Sequence, residues 1–189
     1  MKLVVKNLEY MQGTDGIALN CDIYHKGVKL LHAHDDGRGG CLDFHIASDK
    51  PEIKLKYNQL QTHVKSLPKY DFNAEMRDAG FKGDYKGEDW REVTMEDFLN
   101  NLINDAIDQK ESKKVKTRFN RDAKKGVLYG TSINSYSKFW WKGYSLAKLA
   151  EHPKGREFLQ TKVDDLKKKL KDGDRILNTE YIKSLGIKV

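Results

Sequence analysis

Two histidines and two aspartates form the densest group of metal-ligand side chains in the sequence. His32 and His34 are two residues apart, and Asp35 and Asp36 follow directly. Side chains two residues apart on a strand point to the same face, and imidazole and carboxylate groups are common zinc ligands. The pattern predicts a metal site on His32, His34 and Asp36, which would suit a metal-dependent phosphodiester hydrolase or nuclease. The alternative is a strand end followed by an ordinary Asp-Gly turn.

A glycine-rich segment, Gly37-Arg38-Gly39-Gly40, follows these residues. Glycine-rich loops let successive backbone N–H groups turn toward one anion, and an arginine can add a bidentate contact to a phosphate. Because we expect a strand rather than a helix after the loop, it matches neither the dinucleotide-binding fingerprint nor the Walker A pattern. Arg38, Gly39 and Gly40 are therefore predicted either to contact a small anionic ligand or to form a tight turn between two strands.

A run of basic residues between Lys110 and Lys125 is the main charge feature of the chain. It contains eight Lys and Arg against two acidic residues, a balance of +6. Residues 1–109 carry 14 basic and 19 acidic residues, whereas residues 110–189 carry 21 and 9, so the two parts have net charges of −5 and +12. Such a concentration of positive charge attracts phosphates. The alternative is a solvated helix end or loop.

Aromatic residues follow the basic run closely, interleaved with Lys138 and Lys142. Aromatic faces stack on bases while cations hold phosphates, a combination found in proteins that bind single strands or nucleotides. The alternative is that the two adjacent tryptophans anchor a core, although on a strand they would face opposite sides. The binding residues predicted on this segment are Lys113, Lys114, Lys116, Arg118, Arg121, Tyr129, Tyr136, Trp140 and Trp141.

The elements before residue 94 are expected to be mostly strands. Apolar residues alternate with other residues from Ile17 to Ile23, a period of two that predicts a strand with one buried face. Strands at 2–8, 28–34 and 41–46, with turns at Gly27 and 35–40, would complete a small antiparallel meander over residues 1–47. We also expect a strand at 53–57 and one or two helical turns at 73–79.

One amphipathic helix is expected from Thr94 to Ile107. Apolar residues recur there at intervals of three and four, and Thr94 and Asp97 have the spacing of a capping box. We expect this helix to end where the basic run begins, because cations are favourable at the carbonyl end of a helix.

The remainder of the chain should contain a strand at 126–131, a second aromatic strand or a loop at 137–142, a helix that begins at Pro153 and carries apolar residues as far as Leu170, and a short helix at 179–185. Strands precede helices instead of alternating with them, which indicates an α+β fold with an N-terminal antiparallel meander packed with later amphipathic helices. We expect a single domain over residues 1–189, β-rich in 1–60 and helix-rich in 94–189, in which the hairpin and the helices share one core.

The composition limits the class of protein. The 189 residues are 38% hydrophobic, with a net charge of +7 and two cysteines. No apolar run approaches the roughly 18 residues of a membrane span, and charge interrupts the N-terminal segment too early for a signal peptide. We therefore expect a cytoplasmic protein with no membrane partner, no disulfide framework and no cofactor. No motif of nucleophilic catalysis is present, which favours a non-enzymatic protein, and a homo-oligomer is left open.

Five segments of the sequence are considered together: 36–41, 98–107 with the Lys-rich run behind it, 126–131, 155–159 and 176–179. As a set they resemble segments of small accessory proteins from bacteriophages and mobile elements. The resemblance implies no particular activity. It implies a context in which proteins of this size bind host factors, nucleic acids or signalling nucleotides, in some cases to counteract host defence, within the cytoplasm of the host cell.

Three functions are consistent with these features. The first is a non-enzymatic protein that binds a phosphate-bearing ligand, either a signalling nucleotide or a nucleic acid, through the basic run, the aromatic residues and the glycine loop. The second is a metal-dependent phosphodiester hydrolase that uses the His-Asp group. The third is an interaction protein whose basic face binds an acidic host protein.

Overall fold

The computed structural model of the chain, which describes residues 1–189, contains nine strands and six helices. The chain forms two units, residues 1–108 and residues 109–189, and each has its own cluster of buried apolar side chains. The predicted α+β class is confirmed. No helix combines the length and the apolar character that a membrane crossing requires.

A four-stranded antiparallel sheet forms the start of unit 1 (residues 1–108). Its strands are β1 (Leu3–Gln12), β2 (Ile17–His25), β3 (Val28–Asp35) and β4 (Asp43–Ile46), and they lie in sequence order. The predicted meander is therefore confirmed. The alternating pattern of β2 buries Leu19, Cys21 and Ile23, because every second side chain of a strand points to the same face.

Helix α1 (Pro51–Lys65) packs on this core, so the strand predicted at 53–57 is wrong. Pro51 occupies the first turn, where a missing N–H is tolerated. Ile53, Leu60 and Val64 are buried at spacings of seven and four, which place them on one helical face. Leu55, which a strand would have buried, is 60% exposed. The five-residue window that predicted a strand was too short to show the helical period.

Two short strands and a short helix follow α1: β5 (Tyr70–Asp71), α2 (Phe72–Asp78) and β6 (Trp90–Arg91), with β5 and β6 paired antiparallel. The helical turns predicted at 73–79 are confirmed. The Asp71 carboxylate accepts a hydrogen bond of 3.1 Å from the Asn73 N–H and so caps the amino end of α2.

Helix α3 (Met95–Ala123) begins with the predicted capping box. The Thr94 N–H donates to Asp97 Oδ2 over 2.9 Å, and the Asp97 N–H donates to Thr94 Oγ1 over 3.1 Å. Leu99 and Ile103 are fully buried in the core of unit 1. The helix continues 16 residues beyond the end predicted at Ile107, because no glycine or proline interrupts residues 108–125 and the Lys, Arg, Glu and Gln residues there favour helix.

Unit 2 (residues 109–189) contains the second half of α3, then β7 (Gly126–Gly130), β8 (Tyr136–Trp140), α4 (Leu146–Ala150), α5 (Pro153–Lys167), β9 (Arg175–Ile176) and α6 (Thr179–Ser184). The strands form an antiparallel sheet in the order β8-β7-β9. The predicted strand at 126–131 and the helices at Pro153 and Thr179 are confirmed, and of the two alternatives for 137–142 the structure shows the strand. Helix α4 and strand β9 were not predicted, because each contains five residues or fewer and shows no clear period.

The expectation of one core shared by the hairpin, α3 and α5 is only partly met. The hairpin and the first half of α3 contribute to one buried cluster, whereas Leu159 and Val163 of α5 belong to the other. Between Asp108 and Asp122, α3 carries only Val115 and Phe119 as large apolar side chains, which is too few to continue a core along the helix. The expectation of a single domain stays a prediction.

Candidate functional site

The second half of α3 arranges the basic run as a row instead of a loop. By the helical period of 100° per residue, Lys110, Lys114, Arg118 and Arg121 lie along one side of the helix, whereas Lys113 and Lys116 lie off it. All six side chains are exposed. The row extends for about 17 Å at the usual rise of 1.5 Å per residue. We call Lys110, Lys114, Arg118 and Arg121 the cation row.

Strand β8 lies against the end of the cation row. Tyr136 and Lys138 are two residues apart and share one face of the strand. The Tyr136 hydroxyl donates to Asp122 Oδ2 over 3.1 Å, and the Lys138 ammonium donates to Asp122 Oδ1 over 3.2 Å. Phe119 meets the Tyr136 ring edge to face at 5.7 Å between centroids. Through these contacts β8 packs against the last turns of α3.

Asp122 organises the charges at this junction. Burial raises the pKa of the Asp122 carboxyl, but hydrogen bonds from Lys138 and Tyr136 and the charges of Lys138 and Arg121 together hold its pKa below the usual value. Burial, followed by the hydrogen bond to Asp122, raises the pKa of Tyr136. At neutral pH the junction therefore contains an ionised carboxylate, a protonated phenol and three cations, since Arg118 lies 5.7 Å from the Tyr136 ring centroid. Its net charge is +2.

An open depression of about 460 Å³ lies at this junction. Its lining combines a guanidinium, an ammonium, a phenol and the polar side chains of a loop, groups that suit the oxygens of a phosphate. It also contains the Asp122 carboxylate, which is already paired with Tyr136 and Lys138. The lining residues are Arg118, Asp122, Asn134, Ser135, Tyr136 and Lys138.

The adjacent tryptophans of the predicted site have different roles. Trp140 ends β8 and is 54% exposed, and the Lys138 ammonium lies 5.6 Å from its ring centroid. Trp141 packs edge to face between Phe139 and Phe158, at 4.9 and 5.5 Å, and against the core of unit 2. Only Trp140 of this pair is placed to meet a ligand, and Trp141 is part of the packing.

Tyr129 belongs to the opposite face of the sheet. It pairs with Ser137 across β7 and β8, and side chains directly opposite on antiparallel strands share a face. Since Ser137 and Lys138 are neighbours on β8, Tyr129 is placed away from the Lys138 face. It lines a smaller depression of about 230 Å³ together with Tyr136 and Asp174.

The glycine loop lies in unit 1 and forms a corner rich in carboxylates. The Gly37 N–H donates to Asp35 Oδ1 over 2.7 Å, and the Arg38 N–H donates to Asp36 Oδ1 over 3.1 Å. Gly39 has a φ of +79°, and a Cβ added there would lie 2.8 Å from Asp15 Oδ2. Two N–H groups of the loop thus bind side chains of the protein itself, and three carboxylates disfavour an anion at Arg38, Gly39 and Gly40.

The His-Asp group does not assemble into a metal site. The His32 Nδ1 atom lies 2.9 Å from Asp22 Oδ1 on the neighbouring strand, and the Asp36 side chain accepts the Arg38 N–H. Within residues 1–189, no three His, Cys, Asp or Glu side chains come together in a way that could hold a metal ion. The structure therefore does not support the predicted metal set of His32, His34 and Asp36.

A buried asparagine, Asn178, connects the end of α3 to β7, and no pattern in the sequence indicated it. The Asn178 amide donates to the backbone oxygens of Ala123 and Gly126, over 3.0 and 2.9 Å, and its side-chain oxygen accepts the Leu128 N–H over 2.9 Å. Its partners are 50 to 55 residues distant in the chain, so no local pattern could have identified it. The sequence did contain one indication that Asp122 is special, because it is one of only two acidic residues within the basic run.

Comparison of the chain with protein-family models, with curated proteins and with solved structures finds no match in any of the three. The resemblance to phage and mobile-element proteins is not tested by this result and stays a prediction.

Proposed function

We propose that the protein is a non-enzymatic binder of nucleic acid and that unit 2 carries the binding surface. One observation supports this most directly: the cation row lies on a continuous helix beside a strand that presents Lys138 and an exposed aromatic ring. Unit 2 has a net charge of +12, and such a surface attracts a polyanion from a distance as well as on contact.

The geometry favours a polymer over a small nucleotide. A row of about 17 Å faces several phosphates, since double-stranded DNA carries one charge for roughly each 1.7 Å of its axis. A single nucleotide would engage only one end of the row. The depression beside Tyr136 has a volume within the range of small-molecule sites, but it is open and polar, whereas such sites are mostly apolar and enclose their ligand.

The test compares two charge-matched variants. In the row variant, Lys110, Lys114, Arg118 and Arg121 are replaced by Gln, which keeps the helix propensity high. In the control variant, Lys167, Lys168, Lys169 and Lys171 are replaced by Gln, so that the same number of exposed charges is lost at the last residue of α5 and in the turn after it. Binding of a fluorescent oligonucleotide is followed by anisotropy over a series of salt concentrations, with the melting temperature as a check of folding.

The row variant should bind at least tenfold more weakly than wild type. Its plot of log K against log salt concentration should become shallower by about 3, because each phosphate contact contributes about 0.7 to 0.9 to that slope. The control variant should bind within about threefold of wild type and keep most of the slope. Equal losses in both variants would mean that binding follows net charge and that the cation row is not the site. A wild-type protein that binds no oligonucleotide at low salt would refute the proposed function.

Two other functions have less support from the structure. The metal-dependent hydrolase depended on a ligand set that is not assembled. An acidic protein partner would use the same cations and can also pack on an exposed tryptophan, so the oligonucleotide titration is the measurement that separates the two functions. A part in counteracting host defence is consistent with nucleic-acid binding but depends on the resemblance alone.

A further inference from the structure

Trp140 leaves more than half of its surface in solvent at the end of β8. It is 54% exposed, whereas its neighbour Trp141 reaches the core. Its partner across the sheet is Gly126, which has no side chain to cover the ring. Burial of a large aromatic side chain is favourable, so a tryptophan left in solvent beside a cation is a candidate for contact with a ligand.

The position of Trp140 connects it to the cations of the junction. Trp140 and Lys138 are two residues apart on β8 and therefore share a face about 7 Å apart along the strand. The Lys138 ammonium lies between the Trp140 ring, at 5.6 Å from its centroid, and the Asp122 carboxylate, at 3.2 Å. The Trp140 ring, the Lys138 ammonium and Arg118 near the end of the cation row thus follow one another along β8.

We infer that the nucleic acid bound here is single-stranded and that one of its bases stacks on Trp140 while its phosphates contact Lys138 and the cation row. This inference rests on the proposed function. The physical reason is access: in a duplex each base face is covered by its neighbours, whereas an unpaired base presents its face to an aromatic ring. Stacking of this kind accepts any base, since every base has a π face.

Trp90 provides a matched control. It is 57% exposed, close to the value for Trp140, but it lies in unit 1, and its indole N–H donates to Glu88 over 2.8 Å. Replacement of Trp90 removes an equally exposed indole from an acidic environment. Replacement of Trp140 removes one from a basic environment.

The experiment measures the affinity of four proteins for two probes. The proteins are wild type, Trp140→Ala, Trp140→Phe and Trp90→Ala. The probes are a labelled DNA strand longer than the ~16-nucleotide upper limit of common single-strand sites, and the same strand annealed to its complement. Melting temperatures of all variants are recorded to confirm that they fold.

Wild type should bind the single strand at least fivefold more tightly than the duplex. Trp140→Ala should weaken single-strand binding by about 5- to 150-fold, the equivalent of about 1–3 kcal/mol per stacked base. It should change duplex binding by less than twofold. Trp140→Phe should keep most of the affinity, and Trp90→Ala should keep all of it.

The outcomes separate this inference from the proposed function. If wild type binds both probes equally and Trp140→Ala binds like wild type, the stacking inference is wrong and the proposed function remains. If Trp140→Ala loses affinity for both probes to the same extent, Trp140 has no role specific to unpaired bases, and the inference is again overturned. If wild type binds neither probe, both the inference and the proposed function fail.

Discussion

The buried amide of Asn178 should be one of the most sensitive single positions in unit 2. Its side chain joins the end of α3 to β7 through three hydrogen bonds of 2.9–3.0 Å, and the residue is only 4% exposed. Replacement by Ala would leave two backbone oxygens and one backbone N–H without these partners. A typical internal hydrogen bond contributes about 0.5–1.5 kcal/mol, and a buried group left unpaired costs about 1–3 kcal/mol.

We expect Asn178→Ala to destabilise unit 2 by about 3 kcal/mol, from three bonds of about 1 kcal/mol each. Asn178→Asp separates hydrogen bonding from packing, because Asp has nearly the same shape as Asn. An ionised carboxylate can still accept the Leu128 N–H but cannot donate to Ala123 and Gly126. We therefore expect Asp to cost at least as much as Ala at this position.

The most direct assay is native-state hydrogen exchange at the Val163 amide in the buried part of α5, with urea denaturation in parallel. A loss of about 3 kcal/mol corresponds to an exchange rate about 150-fold higher, if this amide exchanges through opening of unit 2. Asn120→Ala is the control, because Asn120 is an exposed asparagine on α3 in the same unit and exposed substitutions are usually worth less than about 0.5 kcal/mol. A loss below about 1 kcal/mol for Asn178→Ala, or an Asn178→Asp protein as stable as wild type, would refute the reasoning.

Two further predictions concern unit 1. Leu99→Ala should lower the free energy of unfolding in urea by about 2–5 kcal/mol, because Leu99 is fully buried in the core. The control Leu55→Ala, at a residue 60% exposed, should lower it by less than about 0.5 kcal/mol. Equal losses in the two variants would mean that Leu99 is not part of the core. Hydrogen bonds from Lys29 and His32 lower the pKa of Asp22 in the folded state, so its contribution should be complete above the unfolded pKa of about 3.9 and lost as pH falls below that value. The difference in unfolding free energy between wild type and Asp22→Asn should therefore shrink in acid, and a constant difference between about pH 6 and pH 3 would contradict this assignment.

The parts of the fold that were predictable have strong local periods and clear end signals. The meander follows from alternation along β2 and from a turn at Gly27, whose φ of +82° suits glycine. The start of α3 follows from the capping box at Thr94. In these segments a few adjacent residues already determine which backbone conformation has the lowest free energy.

The two errors in secondary structure have local causes. Five residues at 53–57 alternate by chance and resemble a strand, but the helical face of α1 becomes visible only when Leu60 and Val64 are included. Cations after Ile107 are compatible with the end of a helix and equally with its continuation, since Lys and Arg are good helix formers. In the structure α3 continues to Ala123, and the next element, β7, begins at Gly126.

The sequence by itself determined the chemistry available to unit 2: an excess of cations, a group of aromatic residues after it, and a helix able to carry the cations. The tertiary structure decided which residues form the surface. It packed Trp141 against the core of unit 2 and left Trp140 exposed, and it brought Asp122 to Tyr136 across 14 residues of chain. It also placed Asn178 against the end of α3 at Ala123, which lies more than 50 residues earlier in the chain. Such pairings are set by the packing of whole elements against each other, and a local period contains no information about the partner of a side chain in another element.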